Sequence, residues 1–127
     1  MRTSLTISLI LLMLTIGTGL LEEKETLRLS EQYVSAAREL RIMMETADWT
    51  RAADTIGAYR DKWEREVSWL QVLINHEDID DVTLALERLH ALIDAQEQGA
   101  AYEVCAELEE NARHIHHRDA FTLGNVL

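Results

Sequence analysis

Residues 49–81 read WTRAADTIGAYRDKWEREVSWLQVLINHEDIDD, and they hold all three tryptophans of the chain. Apolar residues fall at Trp49, Ala52, Ile56, Tyr59, Trp63, Val67, Leu70 and Ile74, always three or four positions apart. That spacing draws one stripe along a helix and cannot be one face of a strand, whose side chains alternate with period two. Ala53 and Leu73 flank the stripe and give it the breadth of a helix lying on a core. A helix from Trp49 to Asn75 would be about 40 Å long at 1.5 Å per residue. Asp48 suits its N-cap, because a carboxylate there accepts from the free N–H groups of the first turn. Asn75 and His76 break the stripe, and Asp78 or Asp80 can cap the next helix.

The 127 residues contain no proline and only five glycines, at positions 17, 19, 57, 99 and 124. Proline is ordinarily about one residue in twenty, so the commonest helix breaker is missing. Two-residue hairpin turns and β-branched runs are missing too. The expected class is all-α. The formal charge of −11, with ten arginines and two lysines scattered among 23 acids, excludes the clustered cationic face that nucleic acid requires. A single cysteine, Cys105, rules out an intrachain disulfide.

The N-terminus reads MRTSLTISLILLMLTIGTGLL, with eighteen uncharged residues from Ser4 to Leu21. As a helix they span about 27 Å, against a hydrocarbon core of about 30 Å. Two readings compete: an uncleaved transmembrane anchor, or a signal peptide with Gly17 and Gly19 as the small residues of a cleavage site. Leu20 and Leu21 carry the apolar run past the glycines, which favours the anchor. Residues 1–21 are thus read as anchor or signal segment and 22–127 as a helical domain. Arg2 precedes the span and Lys24 and Arg28 follow it among Glu22, Glu23 and Glu25, so the positives nearly balance. The short N-terminus with its export-like layout sets the expected topology: amino end inside and acidic domain outside the cell membrane. If the segment is cleaved, the domain is secreted.

Beyond the span, Leu29, Tyr33, Ala36, Leu40, Met43 and Ala47 repeat the helical spacing. With no strong breaker after Leu20, the span can run directly into this helix, or Ser30 can cap a fresh start. Ile79, Val82, Leu86, Leu89 and Ile93 form a third stripe with Leu84 and Leu92 beside it, and Ala101, Val104, Leu108, Ala112 and Ile115 form a fourth. Gly99 is expected to supply the unusual backbone of the corner between them. The tail from Ala120 to Leu127, AFTLGNVL, is expected to fold back on the bundle's end. Short corners make sequential helices antiparallel neighbours, so the soluble part is an antiparallel up-and-down four-helix bundle. A turn centred near His76 would set Trp69 opposite Leu84 and Trp63 opposite His90, and the next turn would bring His90 near Cys105.

Four groups of residues could carry chemistry. His76, Glu77, Asp78, Asp80 and Asp81 could hold a hard cation, with His76, Glu77 and Asp80 the candidate ligands, or could simply cap and solvate the third helix. The sequence lacks the central glycine and terminal glutamate of a calcium loop, so the capping reading leads. His114, His116 and His117 could form a shallow site with Glu110, but without the glutamate of an HExxH pair. The leading reading is a cationic helix C-terminus, in which Arg113, these histidines and Arg118 complement the dipole. Cys105 sits on an apolar stripe, where cysteine behaves as a small hydrophobe. Trp63 and Trp69 read as core anchors that could alternatively line a pocket. No nucleophile elbow and no phosphate-cradling glycine loop is present, so no catalytic residue, metal or cofactor is expected.

Taken together, the apolar N-terminal span, the helix with Trp63 and Trp69, the corner Asn75-His76-Glu77, the helix of Leu86, Leu89 and Ile93, and the terminal Asn125-Val126-Leu127 resemble one known pattern. It is that of a bacterial family of small membrane-anchored proteins, domain of unknown function 4363. The resemblance covers nearly the whole chain and marks Trp63, Trp69, Asn75, His76 and Asn125 as its motif. It implies an anchor, an extracytoplasmic helical domain and no assigned activity, and it supplies no catalytic residue. The function expected is a structural or protein-interaction role at the membrane's outer face, with a protein partner and no nucleic acid. The alternative is a ligand- or metal-sensing module built on the His76 corner.

Overall fold

The computed structural model describes the backbone of residues 1–72 and 74–126, with side chains through His116. It has four α-helices: α1 (Arg2–Glu45), α2 (Trp49–Leu70), α3 (His76–Asp94) and α4 (Gln98–Val126). Among the described residues there is no strand. Each helix packs against its two neighbours, and α4 closes the ring on α1. The result is the antiparallel up-and-down bundle that the four stripes predict.

α1 is one unbroken helix of 44 residues, about 66 Å long. Its two halves differ in surroundings and not in backbone. The apolar first half is wholly exposed, with Leu5, Leu14 and Leu20 more than half accessible. From Thr26 onward Leu29, Tyr33, Ala36, Ala37, Leu40, Met43 and Met44 are buried. Ser30 lies inside the helix and starts nothing.

The corners after α1 and after α3 share one geometry. Beyond α1, Asp48 N–H donates to the Met43 carbonyl (2.9 Å) and Ala47 N–H to the Met44 carbonyl (3.1 Å). Beyond α3, Glu97 N–H donates to the Leu92 carbonyl (2.9 Å) and Gln96 N–H to the Ile93 carbonyl (3.0 Å). Both are Schellman closures, which need a left-handed residue, and Ala47 (φ 58°) and Gln96 (φ 54°) take that role. Gly99 does not: no glycine has positive φ, and Gly99 lies within the first turn of α4. The corner is made three residues before it, at Gln96. Asp48 then caps α2 by accepting from Arg51 N–H (3.3 Å).

α2 stops at Leu70, short of the expected Asn75. Ile74 is still buried, held by its N–H donating to the Leu70 carbonyl (2.9 Å), so the apolar stripe outlasts the helix that began it. The helix must end because Asn75 takes an extended conformation (ψ 134°) to cap α3, its side chain accepting from Glu77 N–H (3.1 Å). Asn75 therefore does the capping expected of Asp78 or Asp80. Leu73 lies outside the described residues. The tail from Ala120 does not fold back: the backbone of α4 continues as helix to Val126.

Candidate functional site

The centre of the bundle is Trp63, which is 1% exposed. Its indole N–H donates to Thr83 Oγ1 (2.8 Å), whose hydroxyl in turn donates to the Ile79 carbonyl (2.8 Å). Tyr33 meets it edge-on with ring centres 5.1 Å apart, and Tyr59 stacks edge-on against Tyr33 at 6.0 Å. Burial, reinforced by the nearby Glu66 carboxylate, pushes the Tyr33 hydroxyl well above the usual phenol range. Tyr59 is raised by burial and by the hydrogen bond it donates to Glu39 (3.0 Å). The spacing of aromatic residues points to the cluster. The threonine that satisfies the indole was not legible, because Thr83 lies beside its helix's stripe rather than on it.

Trp63 does not face His90. Arg60 and Gly57, about one and two turns further from the corner, face it instead. Arg60 Nη1 is 3.3 Å from His90 Nδ1, and a side chain at Gly57 would meet His90 Nε2 at 4.0 Å. A guanidinium only donates, so His90 Nδ1 is the acceptor and the ring proton sits on Nε2, 3.9 Å from Asp94 Oδ2. The register differs from expectation because the α2–α3 corner is centred nearer residue 74 than His76. Cys105 is 2% exposed, with Arg41 and Glu109 as its nearest electrostatic influences. Burial pushes its thiol up to about 11, so at neutral pH it is an un-ionised, inert side chain.

Trp69 is not a core anchor. It is 42% exposed, and Leu84, expected opposite it, is 59% exposed. Leu70, next to Trp69, occupies the core position instead, with no exposure. One residue along a helix turns the side chain by about 100°, so Leu70 and Trp69 cannot both face inward. Val72, just past the helix end, is 86% exposed.

At the His76 corner, Glu77 and Asp78 stand in the first turn of α3, where carboxylates favour the positive end of the helix dipole. Asp78 is buried at 4% exposure, while His76, Glu77, Asp80 and Asp81 are exposed and point into solvent around the helix start. Near the other end, His114 Nε2 is 3.9 Å from Glu110 Oε1, both exposed, and His116 is half-buried. The side chains of His117 and Asn125 lie outside the described residues. Among the described residues no three of His, Cys, Asp and Glu converge closely enough to hold a metal ion.

Among the described residues of the bundle, two cavities are open surface grooves. One of about 320 Å³ lies where the Glu39–Tyr59 hydrogen bond joins α1 to α2, with Asp54 and Lys62 at its rim. Another of about 290 Å³ lies at the far end, between Trp49 and Ile93. Neither is lined by Trp63, His90 or Cys105.

A family model described as "Domain of unknown function (DUF4363)" matches residues 21–126. Neither a curated protein nor a solved structure matches the chain.

Proposed function

The chain belongs to this family of unknown function, and from that premise we propose that it is a membrane-anchored helical bundle displayed on the outer side of the cell membrane. Its role on this reading is structural or protein-binding and not catalytic. The observation that carries the reading is the continuity of α1. One helix, whose first half is an apolar stretch of candidate span length with mean hydropathy 2.1 and no part buried, passes without a break into the wall of the bundle. Against a cleaved signal, Leu20 and Leu21 carry the apolar run past the small residues Gly17 and Gly19. A buried core helix would be covered, and this one is not.

The orientation, amino end inside and bundle outside, is supported by the very short N-terminal flank and its export-like layout, Arg2 being offset by Lys24 and Arg28 after the span. An interaction role is supported by the inert Cys105 and the shallow grooves, which offer an enzyme little, and by a surface of mixed charge that suits a protein partner. The sensing alternative at His76 draws no support from acids that diverge around a helix start.

Intact mass of the protein purified from membranes tests the anchor. A chain retaining Met1–Leu21 that resists alkaline extraction is expected. A chain that begins near Leu20 and is released into the soluble fraction would overturn the reading. Crosslinking in intact cells then tests the role, with a recurrent protein adduct expected and a chain that stays monomeric counting against it.

A further inference from the structure

α1 and α2 keep a regular antiparallel register. Tyr59 hydrogen-bonds Glu39, Trp63 packs on Tyr33, and Glu66 Oε1 lies 3.8 Å from Arg28 Nη1. Extended by one more turn, that register carries Trp69 to the level of Glu23–Glu25, with Val72 beyond it. At about 1.5 Å per residue, Trp69 is therefore within about 6 Å of Leu21, the last residue of the apolar run, measured along α1. Each headgroup layer of a bilayer is about 5–8 Å thick. Tryptophan is the residue that this layer favours, because the indole body is apolar and its N–H stays wet.

We propose that Trp69 and Val72, exposed at the α2–α3 corner, rest in the headgroup layer of the same bilayer that α1 enters, giving the bundle a second membrane contact that fixes how it stands on the surface. This rests on the anchored reading of α1 and adds to it. The occupant is a neutral lipid surface rather than an anionic one. On α1 the acids Glu22, Glu23 and Glu25 share this level with Lys24 and Arg28, and Glu77 follows at the corner. Two observations carry the proposal independently: these large apolar side chains stand off the core stripe and are exposed to solvent, and the register sets them at the end of the span. Of the other exposed large apolar residues of the bundle, Leu27 on α1 lies near the same level, whereas Ile42 at the far end of α1 and Leu84 on α3 do not.

The test is depth-dependent quenching in the full-length chain reconstituted into phosphatidylcholine vesicles brominated on the upper acyl chain. Trp49→Phe removes the tryptophan at the far end and leaves Trp63 and Trp69. Trp63 lies at the level of Tyr33, about 18 Å from Leu21, and is out of reach of the bromines. Emission of Trp49→Phe should fall on brominated relative to plain vesicles, and the loss should vanish in Trp49→Phe/Trp69→Phe. If the chain floats with the vesicles but both variants emit equally on the two lipids, the corner contact is overturned while the anchor stands. If Trp69 is instead shielded from aqueous quencher only as protein concentration rises, a second copy covers it and the proposal also fails. A chain that does not float at all removes the anchor, and the corner contact with it.

Discussion

The bond from Trp63 to Thr83 makes a quantitative prediction. Trp63→Phe removes a donor from a site that is 1% exposed, and leaves a void of about 40 Å³. At about 24 cal/mol per Å³ the void costs about 1 kcal/mol. The lost hydrogen bond adds about 1 kcal/mol. The Thr83 hydroxyl is not orphaned, since it still donates to Ile79 at 2.8 Å. Thr83→Val keeps the shape but strands the indole N–H in the core, at about 1–3 kcal/mol. In the double variant no donor is stranded, so its cost should approach that of Trp63→Phe alone, and the two single costs together should exceed it by about 1–3 kcal/mol, the cost of Thr83→Val. Urea unfolding of the full-length chain in a mild non-ionic detergent, followed by helical circular dichroism, measures all three. Costs that add within about 0.3 kcal/mol would refute a buried, paired indole. So would a near-neutral Trp63→Ala, for which truncation of the ring should cost about 3–5 kcal/mol.

Two further predictions use the same assay. Ala47→Gly and Gln96→Gly should each stabilise by about 0.5–1 kcal/mol: a left-handed residue with a Cβ is strained by about 1–2 kcal/mol, and added freedom in the unfolded chain returns about half of that. Gly99→Ala, at ordinary helical φ with nothing within 4 Å of the added carbon, should be neutral or mildly stabilising, and a large loss would restore Gly99 as the corner residue. Cys105 should resist alkylation at neutral pH in the folded chain and react on unfolding. Because its folded value is raised from 9.0 to about 11 by burial, its contribution of about 3 kcal/mol is fully present below pH 9 and is lost as pH rises through 11. Tyr33, raised in the same direction, extends that alkaline weakness upward, and stability that is flat to pH 12 would contradict both burials.

The helices were legible because burial and periodicity are the same fact seen twice. Leu29, Tyr33 and Leu40 on α1, Ile56 and Trp63 on α2, and Leu86, Leu89 and Ile93 on α3 all sit where the spacing of three and four puts them, and all are buried. Ends were less legible, because what closes a helix is backbone geometry rather than residue type. Ala47 and Gln96 take the conformation that glycine would take more cheaply, so a search for glycine finds position 99 and misses both corners. The end of α2 was misplaced for a related reason. Ile74 satisfies the stripe from a turn, and side-chain spacing cannot distinguish a buried residue on a helix from one just past it.

The polar clusters show why function was less legible than fold. Four short-range demands act on a helix end: a cap, a favourable charge for the dipole, solvation and a change of direction. Asn75, His76, Glu77 and Asp78 meet these demands together, so their composition matches that of a cation site without the convergence such a site needs. Information about partners lies instead where a residue departs from the stripe at a cost. Trp69 is such a departure: a helix that needed only core would have ended on Leu70 with a polar neighbour, and this one exposes an indole. Exposure of that indole is unfavourable in water by on the order of 2 kcal/mol of unburied apolar surface, an energy that a lipid headgroup layer at the level of Glu23–Glu25 would recover. The sequence could have marked it, since Trp69 lies about 100° from the Leu70 position that completes the stripe. What it could not supply is the antiparallel register that sets that indole beside the end of the apolar span.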